Sequence, residues 1–292
     1  MLFTGTGVAI ITPFKKDKKI DFDALGQIVN HCIDGWVDYI VVLGTTGESV
    51  TLSRDEKKRV IRFVVDVADG RVPIVVGIGG NETDKVVNTI KQTDFAGISG
   101  VLSVTPYYNK PTQPGLIKHY KSIAEKSPVP VILYNVPGRT GVNMTAETTL
   151  ILANEVENIT GIKEASGSIQ QIMKIIKDRP ADFAVISGDD MLALPLMGIG
   201  GHGLISVAAN AFPKQISTIV IEAKAKNYEA ARSAHYEIME LIEALFIDGN
   251  PSGIKAVLDV LGICQNVLRL PLVPVSQKTY ERIEFLVKKL IL

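Results

Sequence analysis

The chain has 292 residues, is 46% hydrophobic, and carries 31 basic and 31 acidic side chains, so its formal net charge is zero. This balance lacks the positive field of proteins that bind nucleic acid or anionic membranes, and it fits an enzyme that acts on small molecules. No apolar run approaches the ~20 residues that span a bilayer, and the N-terminus does not match a signal peptide. The two cysteines, Cys32 and Cys264, lie far apart in apolar helical patterns, so we expect no disulfide and a cytoplasmic location.

Short β-branched runs alternate with helical patterns along most of the chain. The predicted strands cover residues 7–11, 39–43, 74–77, 101–104, 131–134, 159–163, 183–187 and 203–207. These runs are continuously apolar, as is typical of parallel strands that are buried on both faces. Eight strands alternating with helices predict an α/β protein with a (β/α)8 barrel, and a doubly wound open sheet is the alternative.

Capping residues mark the start of several predicted helices. Ser53 followed by Glu56 matches a capping box, and Thr83, Thr112 and Thr145 stand before or at the start of further helical segments. These positions place helices between the predicted strands.

The β signal stops after the eighth strand. Residues 222–247, 251–261 and 278–292 are predicted as helices, which is more helix than a barrel requires. We therefore predict a catalytic barrel over residues 1–224 and a C-terminal helical extension over residues 225–292. The extension caps the barrel, builds a subunit interface, or does both.

In a (β/α)8 barrel the active site lies at the C-terminal ends of the strands. The predicted strand ends are rich in hydrogen-bond donors and poor in metal ligands. They comprise residues 44–49, 77–81, 105–109, 134–141, 163, 187–190 and 205–206.

Lys163 is the most informative residue of this set. It ends an apolar run and precedes small residues, whereas most lysines of the chain lie in polar contexts. A desolvated ammonium loses its proton more easily, and a neutral lysine amine attacks carbonyl carbons. Lys163 is therefore a candidate Schiff-base lysine. The alternative is a strand-end lysine that pairs with a carboxylate such as Glu164.

Other groups at the strand ends also have a functional and a structural interpretation. The turn at residues 44–49 presents backbone N–H groups to an anion, or it is an ordinary βα turn. Tyr134 either transfers protons during a reaction or packs its ring inside the barrel with its hydroxyl in a hydrogen bond. Tyr107 and Tyr108 lie in an exposed aromatic loop that either takes part in the active site or contacts another subunit. Arg139 clamps a carboxylate or lies at the surface.

No cofactor motif fits its required context. Residues 198–203 match G-x-G-x-x-G, but they follow a helix and precede a strand, the reverse of the dinucleotide-binding order. The four histidines are scattered, and Asp189 with Asp190 is interpreted as a helix start. We expect no metal and no organic cofactor, because a lysine imine acts as its own electron sink.

Taken together, the strand ends resemble the pyruvate-dependent class I aldolase family that includes N-acetylneuraminate lyase and dihydrodipicolinate synthase. The shared features are the Gly-x-Thr-Gly-Glu turn at residues 44–48, the strand-five tyrosine Tyr134 and the strand-six lysine Lys163. The paired threonines of the turn, the Pro-Tyr-Tyr-Asn loop at residues 106–109 and Arg139 favour the dihydrodipicolinate synthase branch.

The resemblance implies a reaction in which pyruvate forms an imine with Lys163. The derived enamine attacks the aldehyde of L-aspartate 4-semialdehyde, and the adduct cyclises to 4-hydroxy-tetrahydrodipicolinate on the diaminopimelate route to lysine. Tyr134 is the implied proton donor and acceptor. Thr45 and Tyr108 form its implied relay, with Tyr108 supplied by a neighbouring subunit.

Substrate contacts and assembly are implied in the same way. Thr46 and the backbone at Gly188 and Ile205 contact pyruvate, and Arg139 binds the carboxylate of the semialdehyde. The implied assembly is a homotetramer, a dimer of tight dimers.

Lysine-inhibited members of the family have an allosteric pocket at the tight-dimer interface. Its positions in this chain are Ser49, Val50, Arg54, Lys57, Asn81, Lys85 and Tyr107. Inhibited members typically carry histidine and glutamate where this chain has Arg54, Lys57 and Lys85. Three cations repel the ammonium of lysine and leave it without a carboxylate partner, so we predict weak or absent lysine inhibition.

Two alternatives stay open. The first is another pyruvate-dependent aldolase, acting on N-acetylneuraminate or a 2-keto-3-deoxy sugar acid, which Arg139 and Tyr108 disfavour. The second is a non-catalytic sensor that binds a keto acid, which would not need Lys163 and Tyr134 together with a proton relay.

Overall fold

The computed structural model describes residues 3–291 and confirms the (β/α)8 barrel. Eight parallel strands follow one another around the barrel in chain order, and the eighth closes on the first, with Gly5 opposite Gly203 and Val8 opposite Ser206. This closure rules out a doubly wound open sheet. The strands are β1 (Gly5–Ala9), β2 (Tyr39–Val42), β3 (Ile74–Gly77), β4 (Gly100–Val104), β5 (Val131–Asn135), β6 (Ile159–Glu164), β7 (Ala184–Ser187) and β8 (Gly203–Ser206).

Helices cover the outside of the barrel and form the C-terminal extension. They are α1 (Phe22–Asp34), α2 (Arg54–Ala68), α3 (Thr83–Lys91), α4 (Gln113–Lys126), α5 (Pro137–Thr140), α6 (Ala146–Glu155), α7 (Ile169–Asp178), α8 (Ala193–Gly198), α9 (Pro213–Lys224), α10 (Tyr228–Ala244), α11 (Ser252–Val260) and α12 (Gln277–Ile291). Short 3-10 helices follow β2, β7 and β8. Within residues 3–291, no helix combines the length and the apolar character needed to cross a membrane.

The predicted helix starts are found in the structure. Ser53 and Glu56 form a reciprocal capping box, and Thr112 and Thr145 each accept a hydrogen bond from the backbone N–H three residues later. The helix α3 begins at Thr83, although its cap position makes no side-chain hydrogen bond.

Two predicted elements differ from the structure by more than one residue. The strand β1 lies two residues earlier than predicted, because the N–H of Ile11 donates to the side chain of Asn210 at 2.9 Å instead of extending the sheet. Residues 222–247 form two helices, not one. The break falls at Lys226, whose backbone is left-handed (φ 63°), and Asn227 caps α10 by accepting from the N–H of Ala230. The last predicted helix agrees with α12, and its final residue, 292, lies outside the described residues.

Alternate strand residues divide the apolar core into two layers. One layer fills the barrel interior, with members such as Tyr39, Val41, Ile132, Tyr134 and Ile186. The other layer lies between the strands and the surrounding helices. Parallel strands bury both faces in this way, which explains why their sequences are continuously apolar. The division of the chain at residue 224 stays a prediction.

Candidate active site

Lys163 and Tyr134 lie side by side at the C-terminal ends of β6 and β5. They are direct partners in the strand register, and the Lys163 Nζ atom lies 4.5 Å from the centre of the Tyr134 ring. Only 5% of Lys163 and 7% of Tyr134 is exposed. The amine is therefore held at the mouth of the barrel with little contact with water, beside a phenol that can exchange protons.

Glu164 is not the partner of Lys163. Its carboxylate accepts hydrogen bonds from Ser166 N at 2.7 Å, Gln171 Nε2 at 3.0 Å and Asn135 Nδ2 at 3.1 Å. Consecutive strand residues point to opposite faces, so Glu164 binds outside the barrel while Lys163 faces its interior. Among the described carboxylates none forms an ion pair with Lys163, so the alternative in which this lysine pairs with a carboxylate such as Glu164 is wrong.

Gly188 packs against the side chain of Lys163. Its N–H donates to the carbonyl of Glu164 at 2.8 Å and so continues the pairing between β6 and β7. A Cβ atom at this position would lie 2.9 Å from Lys163 Cε and 2.8 Å from Ala165 Cβ. A larger residue here would therefore force the Lys163 stem or Ala165 to shift.

The turn after β2 presents one exposed and one buried threonine. Thr45 is exposed, whereas Thr46 is buried and accepts a hydrogen bond from Asn250 Nδ2 at 3.0 Å. Because the Thr46 oxygen acts as the acceptor in that bond, its O–H is left to donate to an anion. The turn is held from below by Thr12, whose hydroxyl donates to the carbonyl of Gly47 at 2.7 Å.

A cavity of about 1180 Å³ opens at this end of the barrel. Tyr134, Thr45, Arg139 and Tyr107 all line it, so the structure brings these predicted residues around one space. Lys163 is not part of the lining and meets the cavity through the Tyr134 ring.

The remaining predicted site residues differ in how far they are buried. Ile205 is buried in the barrel interior, opposite Gly7 in the register of β8 with β1. Arg139 is exposed, and its Nη2 donates to the carbonyl of Asn250 at 3.3 Å. Tyr108 is 89% exposed on a left-handed backbone (φ 73°) and does not line the cavity. A single chain therefore does not bring Tyr108 to Tyr134.

The predicted allosteric positions extend the same cavity toward α2 and α3. Those that line it are Ser49, Val50, Arg54, Lys57, Lys85 and Tyr107. Asn81 is exposed and lies outside the lining. Lys85 pairs with Glu82 at 2.5 Å, and burial lowers the pKa of Lys57.

Asp190 has a role that its sequence context did not indicate. Asp189 caps a short 3-10 helix, in line with the predicted helix start, but Asp190 is buried. Its carboxylate accepts from Ser206 Oγ and from the N–H of Val207 at 3.0 Å, and burial raises the pKa of Asp190. It therefore fixes the end of β8 beside the site.

Glu48 and Lys255 were also missed as a pair. Both side chains are fully buried, and Lys255 Nζ lies 2.5 Å from Glu48 Oε1. Burial lowers the pKa of Lys255, and the Glu48 carboxylate opposes that shift. The two residues are 207 positions apart, so no local spacing relates them. The one available signal was the apolar context of Lys255, between Ile254 and Ala256.

The chain is similar to known proteins over nearly its whole length. A model of the dihydrodipicolinate synthetase family matches residues 2–290. The 4-hydroxy-tetrahydrodipicolinate synthase of Flavobacterium psychrophilum is 53% identical and covers 99% of this chain and 98% of its own. The enzyme of the same name from Parabacteroides distasonis is 52% identical, covering 98% and 96%.

Solved structures show the same relationship. The crystal structure of dihydrodipicolinate synthase from Thermotoga maritima superposes with a TM-score of 0.97 at 42% identity, covering 99% of both chains. Sequence and structure are thus similar over nearly the whole length of each protein. The chain therefore belongs to the dihydrodipicolinate synthetase family.

Proposed function

We propose that this chain condenses pyruvate with L-aspartate 4-semialdehyde, as a 4-hydroxy-tetrahydrodipicolinate synthase on the diaminopimelate route to lysine. The name carried by relatives at about 50% identity over nearly the full length supports this activity. The predicted class, a lyase-type enzyme of this family, is confirmed by the same comparisons. Nothing in them favours a sugar-acid aldolase or a sensor.

The observation that carries the mechanism is the contact between Lys163 and Tyr134. The Lys163 amine attacks the keto carbon of pyruvate, and loss of water gives an imine. Loss of a methyl proton converts the imine to an enamine, whose carbon attacks the aldehyde of the second substrate. The amino group of that substrate then attacks the imine carbon, closes the ring and releases Lys163.

Proton transfers in these steps are assigned to Tyr134. Its ring contacts the lysine and its side chain borders the cavity, so it can serve both the amine and the incoming substrate. Thr45 borders the same cavity, which supports its place in the relay. The exposure of Tyr108 supports delivery of its hydroxyl from a second subunit.

Two groups are assigned to the substrate carboxylates. The Thr46 hydroxyl, with its oxygen already accepting from Asn250, is oriented to donate to pyruvate. Gly188 packs against the Lys163 stem and Ile205 lies in the barrel interior, and we assign backbone contacts with pyruvate to both residues. Arg139 stands at the cavity wall, where its guanidinium can bind the semialdehyde carboxylate.

Sodium borohydride reduction in the presence of pyruvate tests the lysine assignment. We expect a covalent pyruvate adduct on Lys163, located by peptide mass mapping, and complete loss of the adduct in K163A. K174A, which removes an exposed lysine of α7, is the matched control and keeps the adduct. An adduct that persists in K163A would refute the assignment.

R139K tests the specificity assignment. Lysine keeps the charge but loses the forked geometry, so we expect KM for aspartate 4-semialdehyde to rise about 10-fold or more while pyruvate trapping is unchanged. Steady-state kinetics with a panel of aldehydes measures both. A preference of the wild-type enzyme for sugar-type aldehydes would leave Lys163 in place and overturn the substrate assignment.

We also propose that lysine inhibits this enzyme weakly or not at all. Arg54, Lys57 and Lys85 line the allosteric part of the cavity, and their positive charge, offset at Lys85 by its pair with Glu82, opposes binding of the lysine ammonium. Activity is expected to stay near its uninhibited level at millimolar lysine. K85E supplies the missing carboxylate, so it is expected to increase the inhibition. Half-inhibition of the wild-type enzyme at low lysine concentration would contradict this.

We further propose that the chain forms a homotetramer, a dimer of tight dimers, in the cytoplasm. A homotetramer would place Tyr107 and Tyr108 at a subunit contact, and light scattering measures the mass of the assembly in solution. A cytoplasmic location agrees with the two buried, unpaired cysteines, and cell fractionation tests it.

A further inference from the structure

The buried pair of Glu48 and Lys255 links the end of β2 to the helical extension. Besides Glu48, the Lys255 ammonium donates to the carbonyl of Val267 at 2.9 Å and lies 4.1 Å from the centre of the Phe14 ring. The second oxygen of Glu48 accepts from the N–H of Arg269 at 3.1 Å. Burying two charges is costly, and apolar residues of similar volume often give equal stability. Positioning of the backbone around Glu48 therefore explains this pair better than a gain in stability does.

The backbone of Glu48 depends on its surroundings. Glu48 directly follows the 3-10 helix Thr45–Gly47 and adopts the left-handed conformation (φ 50°, ψ 35°) that joins it to the next 3-10 turn. A non-glycine residue persists in this conformation only where the structure around it fixes the chain. Lys255 supplies one such constraint through the Glu48 carboxylate, and Glu48 lies two residues after Thr46 in the chain.

Asn250 makes a second link from the same part of the extension. It lies just before α11, the helix that carries Lys255, and its side chain donates to Thr46 Oγ1 at 3.0 Å. Its carbonyl accepts from Arg139 at 3.3 Å. The segment before α11 therefore contacts Arg139, which lines the cavity, and Thr46, which directly follows the cavity-lining Thr45.

We propose that the Glu48–Lys255 pair is a positioning element for the reaction, through which the helical extension holds the Thr45–Thr46 turn in place against the barrel mouth. This inference rests on the proposed function, which gives the two threonines their roles in catalysis and pyruvate binding. Glu48 and Lys255 act through the turn and not on the substrate. The extension thus completes the active site from outside the barrel.

The double variant E48Q/K255M tests the proposal, because it keeps the volume of both side chains and removes both charges. Active sites are first counted by borohydride trapping of pyruvate on Lys163, and kcat is then expressed per trapped site. We expect this kcat to fall about 10- to 100-fold, as misplacement of catalytic groups by about 1 Å produces. KM for the semialdehyde is expected to stay within about twofold, since Arg139 is retained.

E284Q/K288M is the matched control, as it removes an exposed ion pair of α12 and is expected to leave kcat per site unchanged. If the double variant does not fold, E48Q alone is measured in the same way. A kcat per trapped site within twofold of wild type would overturn the proposal, because the pair would then serve folding alone. A wild-type enzyme that yields no adduct would instead overturn the proposed function on which the inference rests.

Discussion

The surroundings of Lys163 are set by three strands. Tyr134 on β5 contacts the amine, Gly188 after β7 contacts the stem, and β6 turns the neighbouring Glu164 to the opposite face. Each contact follows from parallel register, which brings the same end of every strand to one rim. The fold therefore buries the Lys163 side chain and places its amine beside the Tyr134 ring.

The variant G188A tests this packing. The added methyl group would lie 2.9 Å from Lys163 Cε, so the lysine side chain must shift. We expect kcat/KM for pyruvate to fall about 10- to 100-fold, measured together with the rate of borohydride trapping. G198A is the control, because a Cβ atom there meets no atom within 4 Å. Equal activity of G188A and wild type would show that the lysine tolerates displacement.

Elements around the barrel are joined by polar side chains that bridge distant segments. Asn210, after β8, accepts from the N–H of Ile11 and donates to the carbonyl of Ala9, both at 2.9 Å, which fastens the last strand to the first. On the other side, His119 of α4 forms a 2.9 Å hydrogen bond with Thr83 of α3. These hydrogen bonds fix the positions of neighbouring strands and helices more specifically than apolar packing does.

Burial lowers the pKa of His119 from its ordinary value of 6.5 to about 4. Between these values the unfolded chain binds a proton that the folded chain does not, so the free energy of unfolding falls as pH falls from 6.5 toward 4. The contribution of one such group is at most about 3 kcal/mol. The variant H119N is expected to reduce this decline, measured by urea unfolding at pH 7.5 and pH 4.5.

The matched control for this prediction is T83V, which removes the hydrogen bond and keeps the histidine. It is expected to lower stability at both pH values while keeping the pH dependence. His202 and His235 also have pKa values lowered by burial, so part of the decline remains in H119N. An identical pH dependence in H119N and wild type would contradict the role of His119.

At the scale of the molecule, Arg269 joins the segment after α11 to the barrel. Its guanidinium donates to Glu56 at 2.8 Å, to the carbonyl of Thr51 at 3.0 Å and to the carbonyl of Lys18 at 2.8 Å. Together with Lys255 it places cations of the extension against the Phe14 ring. The extension is thus bound to the barrel by charged groups as well as by apolar packing.

The Glu56–Arg269 pair predicts an acid-sensitive contribution to stability. Hydrogen bonding from Arg269 lowers the pKa of Glu56 from 4.5 to about 2. The contribution is therefore complete above about pH 4.5 and is lost as pH falls toward 2. The melting temperature of E56Q is expected to lie below that of wild type at pH 6 and to approach it near pH 2.

The control is E284Q, which breaks an exposed pair with Lys288 worth at most about 1 kcal/mol. Its melting temperature is expected to stay close to that of wild type across the same pH range. If E56Q and wild type differ equally at pH 6 and pH 2, the charge of Glu56 does not link the extension to the barrel.

The sequence by itself predicted the barrel, the order of its strands and the presence of Lys163 and Tyr134 at one rim, and the structure has all three. Each of these depends on local information: apolar runs define strands, and parallel strands bring residues such as Lys163 and Tyr134 to one rim. The turn with Thr45 and Thr46 was predictable for the same reason. The family resemblance added roles that residue type alone left open.

Only the tertiary structure decided which distant groups meet. Local spacing did not relate Glu48 to Lys255, 207 residues away, or Asn250 to Thr46 and Arg139. The break at Lys226 and the early end of β1 also escaped the pattern, because a cap and a bridging amide compete there with continued periodicity. The physical reason is that a local pattern reports the preference of a segment, whereas a buried charge or amide is placed by the partner that satisfies it.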